Sequence, residues 1–446
     1  MEAMAMARVA QGYLKLNWEV IEQASDLERL RLLLNSLDDE ALRVELERDR
    51  KGRRDDYPVR VCWNCLLAQH LLGHAKGSEL LRELRRNPTL RAAVGMDPNQ
   101  GEGGVATKDA MSRFTTKLSG ARYRRKVEQL VDQLMEQMRE PLPDLGKHVA
   151  VDSTAVRTWA RGRANPSESS DPEADWGRKT RRWTDKHGKD HEEVRKWFGY
   201  KLHLVVDTRH ELPVAWTVTR ASAADNGQVI GLVEQVAERH PAMRVQTLAG
   251  DKAYEDGPLI EELHQEWGVR AVFDLRDTSK DGETGEAIPG SRNMVLGDDG
   301  RVYCYYQKAK EVVEQPLVYW GFEQGRGCQK WRCGAAVHGW RCPEREGCCP
   351  RAYGRVVRVK WEKDWRRFGP MPHGTMQRRR RYNGRTACER VNSRLKTGLA
   401  LDDLHVRGKA RIELRVGLSL VVLLGMAKGH LQRKAKAWRS LTRLAR

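Results

Sequence analysis

Three carboxylates of this 446-residue chain stand where acidic side chains can support metal-dependent chemistry. Asp152 ends the apolar run HVAVD, and Asp251 ends the apolar run VQTLAGD. Both runs are rich in apolar and β-branched residues, which predicts strands, and neighbouring strand ends bring their side chains to one cleft. Two acidic groups in a cleft are costly unless a cation neutralises them, so the pair predicts a divalent-metal site.

Mg²⁺ takes oxygen ligands and keeps several waters, so carboxylates on separate elements can hold it beside a phosphate. Two such ions, about 3.5 to 4 Å apart, activate a water or hydroxyl nucleophile and stabilise the leaving oxygen of a phosphodiester. Two aspartates are too few for both ions, and a third carboxylate is therefore expected. Asp207 and Glu255 are the alternatives to the acids chosen here.

Glu389 is the candidate for the third carboxylate because it is the only acidic residue in the basic run RRYNGRTACERVNSRLK, residues 380–396. Four side chains of this run recur at helical spacing and project from one face: Arg385, Glu389, Asn392 and Lys396. On that face Glu389 completes the metal site, Asn392 supports it, and the two cations contact phosphates. The plain alternative is an exposed helix on which Glu389 pairs with Arg385.

Four motifs of the chain, in order, resemble the bacterial insertion-sequence transposases of the DDE class. The first three are VDST around Asp152, WFGYKLHLVVDT from Trp197, and LAGDKAYED around Asp251. The fourth is the signature Tyr-x2-Arg-x3-Glu-x6-Lys, which is matched by Tyr382, Arg385, Glu389 and Lys396. The stretch from Tyr57 to Gly95 is similar to the N-terminal domain of the same transposases.

The resemblance implies a mixed α/β fold: an RNase H-like catalytic core, an N-terminal all-helical domain and an inserted subdomain that contains cysteines. It assigns Asp152, Asp251 and Glu389 to the metal, either Mg²⁺ or Mn²⁺. It also implies cutting of double-stranded DNA at the terminal inverted repeats of a transposon and joining of the 3′ hydroxyl to target DNA, carried out by a homodimer. The residues expected to contact DNA are Tyr382, Arg385, Lys396, Arg390 and Lys201.

Two other functions fit the same residues. One is a nuclease of the same fold that cuts DNA without joining strands, and the other is a non-catalytic DNA-binding protein from a degenerate element. Retention of all three acids together with the complete signature argues against the second. Metal-dependent nicking without a joined product would identify the first.

The composition favours a polyanionic partner. Lys and Arg number 80 against 61 Asp and Glu, which gives a net charge of +19 and suits phosphate neutralisation. The most apolar stretch, 416–426, is shorter than the roughly 20 residues that a membrane span requires, so a buried helix and no membrane partner are expected. The N-terminus shows no secretory signal, which predicts a cytoplasmic protein with reduced thiols, associated with the nucleoid when bound to DNA.

The pattern along the chain predicts four segments: a helical DNA-binding domain over 1–145, the first part of the core over 146–276, an insertion over 277–375, and the Glu389 helix with basic C-terminal helices over 376–446. In the core, three strand-like runs come in succession and then alternate with helices near 225–240 and 257–267, an order typical of an RNase H-like sheet. The polar stretch 161–196 is expected to be a mobile loop. Helices over 77–84 and 107–118 flank either a helix-turn-helix-like unit or an ordinary bundle.

Several smaller sites have two interpretations. The run YKLHLVVD alternates, which sets Lys201, His203 and Asp207 on one strand face, where His203 either supports Asp152 or is a structural histidine. The insertion offers enough thiols for one tetrahedral Zn²⁺, with incidental thiols as the alternative: Cys328, Cys333, Cys342 and Cys348, beside His338 and Cys349. Cys62 and Cys65 lie in an apolar run and are expected to be buried.

Overall fold

The structure is a computed structural model and describes residues 25–51, 57–276, 285–308, 310–349, 351–402 and 404–433. Residues from 434 onward, where a basic helical end was predicted, and residues 1–24, where the absence of a secretory signal was predicted, lie outside the described residues. Over the described part the fold is mixed α/β, as the sequence predicts.

The chain begins with a bundle of helices, as predicted. Its members are α1 (Ser25–Ser36), α2 (Glu40–Arg48), α3 (Val59–Leu71), α4 (Gly77–Arg86), α5 (Pro88–Val94), α6 (Lys108–Leu118) and α7 (Ala121–Arg139). Apolar residues at helical spacing bury one face of α7, as expected. The two helices proposed to flank a helix-turn-helix-like unit are α4 and α6, and α5 with a short 3-10 helix, Pro98–Gly104, separates them. The alternative, an ordinary bundle, therefore describes this region.

A mixed sheet follows and forms the frame of the site. Its strands are β1 (His148–Arg157), β2 (Asp175–Thr184), β3 (Asp190–Asp207), β4 (Pro213–Arg220), β5 (Thr247–Gly250) and β6 (Arg270–Phe273). The core order is β4-β3-β1-β5-β6, in which β1 is antiparallel to β3 and parallel to β5. Two helices lie between the later strands, α8 (Val229–Arg239) and α9 (Gly257–Gln265). The predicted succession of three strands and then alternating helix and strand is confirmed.

The prediction of a loop over 161–196 is wrong for most of that stretch. β2 pairs with the first half of β3 to form a two-stranded ribbon, residues 175–199. Its turn is held by the Asp185 carboxylate, which accepts the backbone N–H groups of His187 (2.8 Å) and Lys189 (3.0 Å), and by Gly188 at φ 77°. Because the ribbon has little apolar surface, its composition resembles that of a loop.

The C-terminal helix α15 (Lys409–Gln432) is surrounded by the rest of the protein. Its stretch 416–426 is buried, as predicted, and α15 packs against α1, α3 and α7. One continuous apolar core therefore extends from Leu27 in the bundle through the sheet to Ala427. No helix within the described ranges is long and apolar enough to cross a membrane.

The segment between β6 and the Glu389 helix is built separately. It contains one sheet of β7 (Glu286–Ala287), β8 (Met294–Leu296), β9 (Val302–Lys308) and β10 (Glu311–Pro316), and a second sheet of β11 (Val318–Glu323), β12 (Cys328–Arg332) and β13 (Val356–Lys360). Short helices α10 (Gly334–His338), α11 (Arg345–Cys348) and α12 (Trp365–Phe368) accompany them. A small core of its own holds this insert together.

After the insert the chain returns to the sheet as two short helices, α13 (Met376–Asn383) and α14 (Thr386–Ser393). A π-helical turn, Arg394–Gly398, follows α14 directly. α14 packs on β1 and β3, so the basic run of the sequence lies against the strand that carries Asp152 and against the antiparallel neighbour of that strand.

Candidate active site

Asp152 and Asp251 lie side by side on neighbouring parallel strands. Val149 of β1 is in register with Leu248 of β5, and Ala150 with Ala249. Continuing this register by two residues sets Asp152 beside Asp251, and adjacent strands run about 4.8 Å apart. Asp251 directly follows β5, and its carboxylate accepts the Ala253 N–H at 2.8 Å, which opens the next turn.

Helix α14 brings Glu389 to the same end of the sheet. The Cys388 thiol donates to the Ala150 carbonyl at 3.2 Å, and the Asn392 amide donates to the Asp152 carboxylate at 3.2 Å. Both Cys388 and Asn392 are buried. Glu389 follows Cys388 and lies about one helical turn before Asn392, so these contacts fix the part of the helix that carries the third acid.

The electrostatics of Asp152 show that the three acids influence one another. Burial raises the pKa of Asp152 to about 6; the Lys179 charge and the Ser153 N–H oppose this rise, while the charges of Asp251 and Glu389 add to it. An acidic group that is desolvated and repelled by two other carboxylates is stabilised as an anion when a divalent cation is bound. The donor set is all oxygen, as Mg²⁺ and Mn²⁺ prefer.

Glu389 itself is turned toward a cation of its own helix. Arg385 Nη1 lies 2.6 Å from Glu389 Oε1, and 54% of the Glu389 side chain is exposed. This is the ion pair that the plain alternative anticipated. Among the described residues, no three His, Cys, Asp or Glu side chains stand together as a finished metal site.

Helix α14 is anchored by a buried carboxylate, Glu211, which no pattern in the sequence singles out. Glu211 follows β3 at φ 56° and is 9% exposed. It accepts from Arg390 Nε at 2.7 Å and also pairs with Arg394. These contacts join the turn after β3 to the helix that carries Glu389. A glutamate in a short turn carries no signal of such a partner, because the partners lie far along the chain.

A second contributor that the sequence did not indicate is Lys179, on β2 of the ribbon. Its charge is the largest influence opposing the rise in the Asp152 pKa. The segment that was expected to be a loop therefore supplies a cation within electrostatic range of the acids. Lys179 is exposed.

The residues predicted to contact DNA all have partners inside the chain. Tyr382 donates to Asp274 at 3.3 Å, Lys396 pairs with Asp402 at 2.9 Å, and Arg385 and Arg390 pair with the glutamates described above. These four belong to the surface formed by α13, α14 and the turn after it. Lys201 differs, since its side chain is 15% exposed and donates to Asp225 (2.9 Å) and to the Ala223 carbonyl.

His203 lies on the face of the sheet opposite to Asp152. The register pairs Asp152 with Leu204 and Ser153 with His203, and successive side chains point to opposite faces. His203 is fully buried, bonds to Thr219 Oγ1 at 2.8 Å, and has its pKa lowered to about 4 by burial. These contacts favour the interpretation of His203 as a structural histidine, because strand alternation directs its side chain away from Asp152.

The two alternative acids have structural contacts. Asp207 is buried at the C-terminal end of β3, opposite Val149 of β1, and accepts the backbone N–H groups of Gly146, Arg209 and His210. Glu255 is buried and pairs with Arg366 of α12 at 3.2 Å, which ties the insert to the core. Neither carboxylate lies beside Asp152 and Asp251 in the manner of Glu389.

The predicted cysteine set needs one correction. Cys328 is buried in β12 with its thiol 3.8 Å from the Glu323 carboxylate, and it does not line the cavity that the other three cysteines share. Strand β12 directs it elsewhere. Cys62 and Cys65 are buried in α3, as expected, and burial raises the pKa of Cys62 to about 11.

The sheet order and the position of the acids define an RNase H-like α/β enzyme core. The family described as the transposase DDE domain matches residues 143–424, more than half of the chain. The chain therefore belongs to this family and is a DDE-type transposase, as the motifs predicted.

Comparison with individual proteins adds less. A solved structure of the piggyBac transposase in a synaptic complex with hairpin DNA has a TM-score of 0.38 and 11% sequence identity, covering 94% of this chain and 79% of that chain. No curated protein matches the sequence.

Proposed function

We propose that this DDE transposase cuts DNA at the terminal inverted repeats of its element and joins the freed 3′ hydroxyl to target DNA, using Asp152, Asp251 and Glu389 as metal ligands. The observation that carries this proposal is the approach of the middle of β1, the end of β5 and one helix to a single point. The register brings the aspartates together, and the contacts of Cys388 and Asn392 bring α14 to them.

Mg²⁺ or Mn²⁺, when bound, supplies activation of the attacking oxygen and stabilisation of the leaving oxygen. The protein residues have separate tasks. Asn392 holds one oxygen of Asp152 and so orients that carboxylate. Glu389 would hold the metal as the third carboxylate, and Arg385, once released from Glu389, would face a phosphate on the same side of the helix.

DNA is proposed to lie across the surface of α13 and α14. Tyr382, Arg385, Arg390 and Lys396 are on that surface. Phosphates can replace the acidic partners of Arg385 and Lys396, while Arg390 contacts DNA without leaving Glu211. The helical bundle is proposed to bind the element's ends. Action as a homodimer in the bacterial cytoplasm follows from the resemblance to insertion-sequence transposases.

The test is an assay of cleavage and joining on DNA that carries the element's own ends, with Mg²⁺, for the wild type and Glu389→Gln. Glu136→Gln is the matched control, because Glu136 is also an exposed helical glutamate paired with an arginine, Arg139, at 2.7 Å. The proposal expects DNA binding by all three proteins but cutting and joining only by the wild type and the control.

Other outcomes separate the alternatives. Cutting without a joined product in the wild type would identify a nuclease of the same fold. Binding that is unaffected by a chelator, with no cutting at all, would identify a non-catalytic DNA-binding protein. Full activity of Glu389→Gln would leave Glu389 as a surface ion pair and remove it from the metal site.

A further inference from the structure

The apolar core of the insert is too small to fix every segment of the insert in place. Eight described residues form that core, and Cys304 and Cys348 pack at its edge. Small units with such limited burial generally need a disulfide or a metal to become stable. All nine cysteines of the chain are free thiols, so a disulfide does not supply the missing stabilisation.

The segment 338–353 shows where that stabilisation is needed. None of its described residues is buried, and its regular structure is limited to the four-residue helix α11. The described side chains of this segment that are partly buried are Trp340, Cys342, Cys348 and Cys349, and all its other described residues are exposed. Cysteines thus replace the apolar anchors that would normally fix a segment of this length.

These thiols meet others across one cavity of about 140 Å³. Cys304 reaches it from β9, Cys333 from the residue before α10, and Cys342 and Cys348 from the segment 338–353. Burial raises the pKa of Cys304 to about 12, and the thiols of Cys333, Cys342 and Cys348 contribute to the rise. Cys304 therefore lies within electrostatic range of these three. Cys349 also lines the cavity but is not among the thiols that act on Cys304, so it is left out of the ligand set.

We propose that Cys304, Cys333, Cys342 and Cys348 bind one structural Zn²⁺ that fastens the segment 338–353 to the insert. Four thiolates are a complete ligand set for tetrahedral zinc, with bonds of about 2.3 Å. Binding releases the four thiol protons and leaves a site with a net charge of −2. The charged side chains that line the same cavity are Glu344, Arg345, Arg351 and Arg355, and their summed charge of +2 balances the site.

Two other candidate zinc ligands lie outside this cavity. Cys328 lies beside Glu323, outside the cavity, and His338 is exposed and does not line it. In the present arrangement the four thiols have not closed into a finished site. Closing it requires only that the exposed segment 338–353 move toward Cys304 and Cys333, because those two are fixed by β9 and by the end of β12.

The experiment measures metal in the full-length protein, purified under reducing conditions and dialysed against metal-free buffer. Elemental analysis should find one zinc per chain in the wild type and in the control Cys328→Ser, and loss of zinc in Cys342→Ser and Cys304→Ser. Glu389→Gln should keep its zinc, which separates this site from the catalytic acids and makes the result independent of the proposed function.

A second measurement covers variants that fail to fold. The wild-type protein, stripped of zinc and titrated with Co²⁺, should develop the thiolate-to-metal charge-transfer absorption of a tetrahedral sulfur site. A wild-type chain with no stoichiometric zinc and no such absorption would overturn the proposal. Equal loss of zinc from Cys328→Ser, or loss from Glu389→Gln alone, would overturn the ligand set.

Discussion

Replacing Asp152 by asparagine should stabilise the metal-free protein at neutral pH. The folded state raises the pKa of Asp152 from 3.8 to about 6, mainly because the carboxyl is desolvated and also because Asp251 and Glu389 repel its charge. The folded protein then holds this proton more tightly than the unfolded chain does. Stability from this group is therefore present below about pH 4 and falls as the pH rises to about 6.

The size of the effect follows from the same shift. At 1.36 kcal/mol per pKa unit, the rise corresponds to a loss of roughly 3 kcal/mol above pH 6, and relaxation around the site makes this an upper bound. Asparagine has no charge to desolvate. Its side-chain oxygen can still accept the hydrogen bond from the Asn392 amide.

The assay is urea unfolding of the wild type and Asp152→Asn in EDTA at several pH values from 4 to 8, repeated with Mg²⁺. The variant should gain about 1 to 3 kcal/mol over the wild type at pH 7 and almost nothing at pH 4. Mg²⁺ should stabilise the wild type and leave the variant nearly unchanged. A stability difference that does not vary with pH, or a variant less stable at pH 7, would refute the reasoning.

Two further predictions concern α14 and its surface. Glu211→Gln breaks both ion pairs that anchor α14, so the free energy of unfolding should fall by roughly 1 to 3 kcal/mol. DNA cutting should fall as well, while DNA binding without Mg²⁺ persists. Unchanged cutting would show that the Glu211 pairs are not needed to position α14. Arg385→Ala and Lys396→Ala should each make the dependence of DNA binding on salt shallower by about one unit, whereas the control Arg326→Ala, an exposed arginine of the insert, should not. Slopes equal to that of the wild type would take both cations out of the DNA interface.

The aspartates were predictable because each ends an apolar run, and the parallel strands β1 and β5 that carry these runs are neighbours, although β1 continues past Asp152 to Arg157. Glu389 was predictable because its helical spacing and basic surroundings are local in the sequence. Both signals come from a few adjacent residues, and the sheet order then follows from the succession of strand and helix.

The ribbon and the Glu211 anchor lay beyond such local patterns. The ribbon is polar on both faces, so it lacks the apolar alternation by which strands are recognised, although the Asp185 and Gly188 turn was a usable signal. The Glu211 pairs join residues 179 and 183 positions apart, and a single sequence does not connect them. The packing of α15 into the bundle was also not predictable from local patterns. An apolar stretch indicates that a helix is buried, but it does not indicate which elements the helix packs against.

The account rests on one claim, that Asp152, Asp251 and Glu389 hold the same divalent cation. Fe²⁺ in place of Mg²⁺, with ascorbate and peroxide, generates radicals at the bound ion that cut the backbone beside its ligands. With DNA bound, mass spectrometry of the fragments should find cuts next to all three residues, suppressed by excess Mg²⁺ and missing near 389 in Glu389→Gln. Cuts near 152 and 251 with none near 389 in the wild type would contradict the claim.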